Sequence, residues 1–246
     1  MKIYIFTPTY HRFEKTKTSL LSIKESIEHS SNEVKLFIGD NNSPREMVEW
    51  LRKTFRGDEF YLYESNKNLG KSRMVNKLWA DCDKKCDVVV SIDSDMIADP
   101  STNWIDTCSE LIIKIKEFGL LATNQSGSCQ HLWDRLEYTY KYDENTIKYN
   151  QYNGVAGGCV FLRRDDWEFI KGYVEGSLPV FGGSDAYLMF SISTLLRKEC
   201  GVIENVTLFH PDSNNEEDYM DWKLKMSRQI RGEQLGLDPN KGFYDE

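Results

Sequence analysis

The segment VVVSIDSDMIADP, Val88 to Pro100, carries two aspartates one residue apart, directly after an apolar run. Asp93 and Asp95 repel one another unless something offsets their charges. Asp and Ser also start turns and bond their own backbone, so a solvated turn is the plain explanation. A divalent cation is the other, because neighbouring carboxylates become favourable once such an ion stands between them.

Other side chains with chemical capacity follow other apolar runs. Thr7, Pro8, Tyr10 and Arg12 lie in and after the first, Asp40 closes the second, and Asn68, Gly70, Lys71 and Arg73 follow the third. Further along come the pair Gly157 and Gly158, the cluster Gly183, Ser184 and Asp185, and His210. Adjacent glycines let a ligand or another backbone come close, or make a tight turn. An acid after a flexible glycine pair and before a helix can face a cleft as a general base, or cap that helix. Asp40, within the turn-forming run Asp-Asn-Asn-Ser-Pro, also reads as a helix cap or an Asx turn, roles compatible with binding.

The elements that must position these groups alternate in type. Strands are expected at Lys2 to Phe6, Val34 to Ile38, Phe60 to Tyr63 and Asp87 to Ile92. The helices between them include one with Leu20, Leu21, Ile23 and Ile27 on a single face, then Glu46 to Phe55 and Lys71 to Ala80. This alternation predicts a largely parallel α/β sheet with its ligand chemistry at the strands' carboxyl ends. The second half is less regular. It reads as a helix over Trp104 to Phe118, a strand over Leu120 to Thr123 and a tyrosine-rich hairpin over Leu136 to Tyr152. Strand Val160 to Leu162, helices Trp167 to Gly172 and Ser184 to Leu196, and strand Val202 to Phe209 complete it. Residues 215–236 are highly charged with helical spacing.

The 246 residues suit one large domain, expected to divide into a nucleotide-binding half (about 1–100), a donor-sugar and acceptor half (about 101–214) and a charged helical segment (215–246). A formal charge of −8 gives no general attraction to nucleic acid or anionic membrane. No stretch has the length of a signal peptide or membrane span, and the six scattered cysteines complete no zinc site, so a cytoplasmic protein with reduced thiols is expected. Asp165 and Asp166 read as a helix start in a solvated charge cluster. The tyrosines from Tyr138 to Tyr152, and Trp133, read as hairpin and core packing or as walls of an acceptor groove.

Seven pieces in order, TPTYHR, GDNNS, NLGKSR, SIDSDM, GVAGGCVFLRRDDW, FGGSDAYL and LFHPDSNN, resemble the nucleotide-sugar glycosyltransferases of the GT-A fold, especially family 2-like members. The resemblance implies a single GT-A domain, Rossmann-like, with a mostly parallel central sheet, flanking helices and a small antiparallel element in the second half. It implies transfer of a sugar from a nucleotide diphosphate, UDP first among carriers, to an acceptor hydroxyl. Mn2+ or Mg2+ is the implied cofactor, held by Asp95 and His210, with Asp93 on the ribose or a metal-bound water. Thr7, Pro8, Tyr10, Arg12, Asp40, Asn68, Gly70, Lys71 and Arg73 would line the nucleotide, and Gly157, Gly158, Gly183 and Ser184 the donor and acceptor sugars. Asp185 would be the base of an inverting transfer, and many relatives carry a second acid where this chain has Ser184. Acceptors in view are a glycan, protein, lipid or small molecule, or a hydroxylated base in DNA served by a basic face of Arg163, Arg164 and the stretch from Lys223 to Arg231. The alternatives are a nucleotidyltransferase, although TPTYHRFEK lacks a glycine-rich phosphate loop, and an inactive sugar-nucleotide binding module.

Overall fold

The computed structural model describes residues 1–127, 136–150, 157–175 and 184–211. Expectations resting on Cys129, Trp133, Tyr152, Gly183 and 212–246 lie outside these residues.

One nine-stranded sheet forms the centre, in the order β3-β2-β1-β4-β8-β5-β9-β7-β6. Its first part follows the alternation: β1 (Lys2–Thr9), α1 (Phe13–His29), β2 (Glu33–Asp40), α2 (Arg45–Thr54), β3 (Phe60–Glu64), α3 (Gly70–Asp81) and β4 (Val88–Ile92). These four strands pair in parallel, β1 between β2 and β4. After α4 (Trp104–Lys114) come β5 (Phe118–Gly127), the hairpin β6 (Tyr138–Tyr142) and β7 (Asn145–Tyr149), and β8 (Cys159–Arg163). Then α5 (Arg164–Ile170), α6 (Ser184–Ser191), a π-helical turn (Ile192–Leu196) and β9 (Glu199–His210) close the fold.

Both faces of the sheet are covered, and the strand sequences show why. Ile3, Ile5, Val88, Val90 and Ile92 pack with α1, α2 and α4, whereas Tyr4, Phe6 and Val89 face α3, α5 and α6. Near-continuous apolar runs suit strands buried on two sides. As β7 does between β9 and β6, β8 reverses direction, running antiparallel to both β4 and β5. That reversal delivers Gly157 and Gly158 beside the carboxyl end of β4, where Asp93 N–H donates to Gly158 O at 2.8 Å.

Three local expectations are corrected. α4 ends at Lys114 rather than Phe118, because the polar Lys116–Glu117 step turns the chain and Phe118 is buried as the first residue of β5. Leu21 is 41% exposed and leaves the apolar face, which Leu20 and Ile23 hold one helical step away. Asp166 is buried rather than solvated, accepting from Arg163 Nε at 2.7 Å and Lys198 Nζ at 2.6 Å. Arg163 is buried with it and also donates to the carbonyls of Ile112, Ile115 and Phe118, tying off the end of α4. It therefore adds nothing to an exposed basic face.

Removing one member of such a buried network leaves the others charged and unpaired, at a cost of about 3–5 kcal/mol. Asp166→Asn is expected to lose about 3 kcal/mol in urea unfolding. A loss near zero would mean that Arg163 and Lys198 find solvent or other acceptors instead.

The hairpin tyrosines pack. Tyr140 and Tyr149 set their ring edges against Phe118 at centroid distances of 5.6 and 5.4 Å. Their strands end the sheet on the side away from β1. Among the described residues, no helix is long and apolar enough to cross a membrane. The five cysteines among the described residues are free thiols, and burial pushes Cys86 up to about 12.

Candidate active site

The carboxyl ends of β1 and β4 and the segment leading into β8 converge with the starts of α3 and α6, as an open α/β sheet predicts. The turn after β4 is closed by Met96 N–H donating to Asp93 O at 3.2 Å. Ile97 then pairs with Phe209 through two backbone bonds of 2.8 and 2.9 Å. This short bridge brings the end of β9 to the aspartate turn, so His210 Nε2 stands 3.6 Å from Asp95 Oδ2.

Arg12 approaches the same carboxylate from the other side, Nη1 to Asp95 Oδ2 at 2.8 Å. It reaches there through an unusual backbone: His11 and Arg12 both adopt left-handed φ, 51° and 50°. For non-glycine residues this costs on the order of 1–2 kcal/mol each. Strain of this kind persists where the surroundings impose it, and it clusters at functional sites.

Asp93 turns to a different partner. Lys71 Nζ lies 2.8 Å from Asp93 Oδ1, 2.9 Å from Asp185 Oδ1 and 3.1 Å from Gly157 O. The lysine sits one residue into α3, after Gly70, whose φ of 76° makes the turn into the helix. Asn68 Oδ1 accepts from Gly70 N–H and Asn41 Oδ1 from Leu69 N–H, which fixes that entry. Asp185 stands in the first turn of α6, close against Gly157: a methyl on that glycine would meet the Asp185 Cγ at 2.1 Å. Glycine here serves close approach rather than a turn.

Burial pushes the Asp93 carboxyl up to about 6; Lys71 works against this, and the charges of Asp185 and Asp95 add to it. Burial also disfavours the charged Lys71, yet Asp185 and Asp93 hold it well above the usual lysine range. Three carboxylates and two cations leave one net negative charge, His210 aside. A nucleoside diphosphate would be repelled by that balance, and a bound divalent cation would reverse its sign. The donors fit such an ion: hard carboxylate oxygens with one imidazole suit Mg2+ or Mn2+, which keep positions for water and phosphate oxygens. Among the described residues, no three His, Cys, Asp or Glu side chains form a ligand set by themselves. The chain would thus supply a partial set.

Other expected site residues divide. Tyr10 is half-buried, with its hydroxyl beside Asn68 and raised by burial, and its ring edge-on to His11 at 4.2 Å. Thr7 and Pro8 are buried within β1, and Thr7 Oγ1 has no hydrogen-bond partner among the described residues. Asp40 is 1% exposed, and its oxygens accept from Thr9 Oγ1 at 3.3 Å and, three residues on, from Ser43 N–H at 3.0 Å, a local side-chain-to-backbone bond that holds the loop. Arg73 is exposed; two residues on from Lys71, it points some 200° around the helix from the site. Gly158 backs onto Met96 and Gln125, and Ser184 opens α6.

Two residues here escaped the sequence reading. Tyr173 lies under Lys71, nitrogen to ring centroid 5.8 Å, with its hydroxyl donating to Ser91 Oγ at 3.0 Å. Nothing in the loop sequence around it signals this. Gln125 is 2% exposed against Gly158, with Nε2 lacking a partner among the described residues. The polar run TNQ after the apolar start of β5 repeats the strand-end pattern and was a usable signal.

The family described as glycosyl transferase family 2 matches residues 4–169. Among solved structures, the fold is similar to the mannosyltransferase PcManGT from Pyrobaculum calidifontis, determined in complex with GDP-Man and Mn2+. The TM-score is 0.65 at 14% identity, covering 95% of this chain and 63% of that one. It is also similar to S. aureus TarS 1–349, with a TM-score of 0.54 at 13% identity, over 96% of this chain and 65% of that one. The chain thus spans less than two thirds of either structure, and at these identities the likeness is one of fold. No curated protein matches the chain.

Proposed function

The chain belongs to glycosyl transferase family 2, and from that premise we propose that it transfers a sugar from a nucleoside-diphosphate carrier to an acceptor hydroxyl, with a divalent cation. The observation that carries this reading is the meeting of Asp93, Asp95, Asp185, Lys71, Arg12 and His210 at one end of the sheet. Asp95 with His210, and Asp93 beside them, would hold Mn2+ or Mg2+. When bound, the cation supplies Lewis acidity and positive charge to the departing diphosphate.

The chain's own groups do the rest. Tyr10 offers a partly exposed ring to the base of the nucleotide. Arg12 supplies positive charge close to the diphosphate end. Asp185 takes the proton from the acceptor hydroxyl as that oxygen attacks the anomeric carbon, which gives inversion. Glycine at 157 keeps side-chain atoms away from the face on which Asp185 rests. UDP is our preferred carrier. GDP belongs beside it, because the similar PcManGT structure holds GDP-Man.

The test is incubation with UDP- and GDP-sugars and Mn2+, reading the released product. Free nucleoside diphosphate supports a glycosyltransferase. Free pyrophosphate points to a nucleotidyltransferase, and tight donor binding without turnover on any acceptor points to a binding module.

A pH dependence follows from Asp93. Cation binding favours the ionised carboxylate, so metal-dependent UDP affinity should fall as pH drops below about 6. Without metal the sign reverses. The folded state binds this proton more tightly than the unfolded chain, so Asp93 removes stability as pH rises from its ordinary value toward about 6. Calorimetric titration between pH 5 and 8, and thermal unfolding without metal, read the two trends; a flat affinity profile contradicts the first.

A further inference from the structure

Lys71 is the most completely engaged cation in the site. A lysine ammonium has three N–H donors, and three acceptors stand within reach: Asp93 Oδ1, Asp185 Oδ1 and Gly157 O. The side chain is 16% exposed, and the Tyr173 ring lies behind it, itself fixed to Ser91 on β4. Lys71 therefore has no donor to spare for a phosphate.

The acceptors also come from different parts of the reaction centre. Asp93 is on the cation side, and Asp185 is the proposed base. Gly157 O belongs to the backbone against which that base lies flat, with Asp185 Oδ1 and Oδ2 only 2.3 and 2.6 Å from where a Gly157 methyl would be. The ammonium engages Oδ1 alone. Oδ2 has no hydrogen-bond partner among the described residues and is the oxygen left for a substrate hydroxyl.

We propose that Lys71 is a positioning residue for Asp185, holding one oxygen of the base against Gly157 so that the other meets the acceptor, rather than a ligand of the donor phosphates. This deepens the glycosyltransferase reading and rests on it. Asp185 stands in the first turn of α6, and among the described residues Lys71 is the group that bonds its side chain. A reacting group misplaced by about 1 Å can lose about 10²-fold in rate. Because Lys71 also bonds Asp93, the position of the base is tied to the turn that carries the cation ligands.

The test is a cycle of wild type, Lys71→Met, Asp185→Asn and the double variant. Nucleoside diphosphate release from UDP- and GDP-sugars with Mn2+ is measured alongside UDP binding. Lys71→Met is expected to lower kcat by about 10- to 100-fold, with UDP affinity falling far less than the rate, by the lost positive charge alone. It should have no further effect on kcat in the Asp185→Asn background, because the group it positions is already disabled. A phosphate ligand would act otherwise: UDP affinity falls as far as the rate, and the two losses multiply in the double variant. That outcome overturns the proposal. Thermal unfolding of the four proteins reads the pair without any substrate. Less-than-additive losses in Tm support it, and additive losses overturn it even if the wild type releases no product, a result that would by itself defeat only the transferase reading.

Discussion

Asp185→Asn is expected to lower the transfer rate by about 10²–10⁴-fold, the contribution of a positioned general base, while nucleotide binding stays close to wild type. The substitution is nearly isosteric, and the amide oxygen still accepts from Lys71, which stands 2.9 Å from Asp185 Oδ1. What disappears is the capacity to take a proton. The change also removes one of three carboxylates around the site, so electrostatics alone cannot weaken the binding of a diphosphate. A loss of rate with binding intact is therefore specific to the base. Single-turnover measurements with saturating donor would read it. Rates within a few-fold of wild type would move the base elsewhere, and inversion at the anomeric carbon would lose its support.

Asp95→Ala carries the second large effect, on binding rather than proton transfer. Its Oδ2 is shared by Arg12 at 2.8 Å and His210 at 3.6 Å, so this one side chain joins the first strand's loop to the end of the last. Without it, the proposed cation loses the carboxylate that stands beside His210. The contribution of Mn2+ to nucleotide affinity should vanish, a loss of at least about 10- to 100-fold, the range seen when even residues supporting metal ligands are removed. The charge count makes the prediction distinctive. Removing Asp95 leaves the metal-free site less negative, so UDP binding in EDTA should hold or improve while binding in Mn2+ falls to meet it. An overall collapse of the fold would weaken both together.

Much of the fold and site was readable in the residues because two signals coincide. The apolar runs over Lys2 to Phe6, Val34 to Ile38 and Val88 to Ile92 are too continuous for surface strands, and each is cut by polar turn formers. Parallel strands with helical crossovers put all such ends on one side. Asp93, Asp95, Lys71 and Arg12 therefore meet despite their separation in sequence, and Asp185 and His210, expected from the resemblance, stand with them.

What stayed hidden depended on pairing and on burial of polar groups. Nothing local says that Cys159–Arg163 inserts antiparallel between β4 and β5, since strand order is set by long-range packing. Arg163 and Asp166 look like surface charges because their partners, Lys198 and the carbonyls of Ile112 and Phe118, are distant in sequence. Lys71 and Arg73 are both basic, and only the helix phase separates the half-buried one from the exposed one. Asp40 bonds Thr9, brought to it by the register of β1 with β2, as well as Ser43 of its own loop, and only the second partner could be read locally.

The central claim is that the aspartate pair serves a cation and a diphosphate, and calorimetric titration of UDP and GDP tests it most directly. Each nucleotide would be added to wild type with Mn2+, to wild type with EDTA, and to Asp95→Ala with Mn2+. The account predicts binding of at least one nucleotide in the first case and its loss in the other two. Equal binding with and without metal, or binding by Asp95→Ala that still responds to Mn2+, would contradict it and return Asp93 and Asp95 to the role of turn formers.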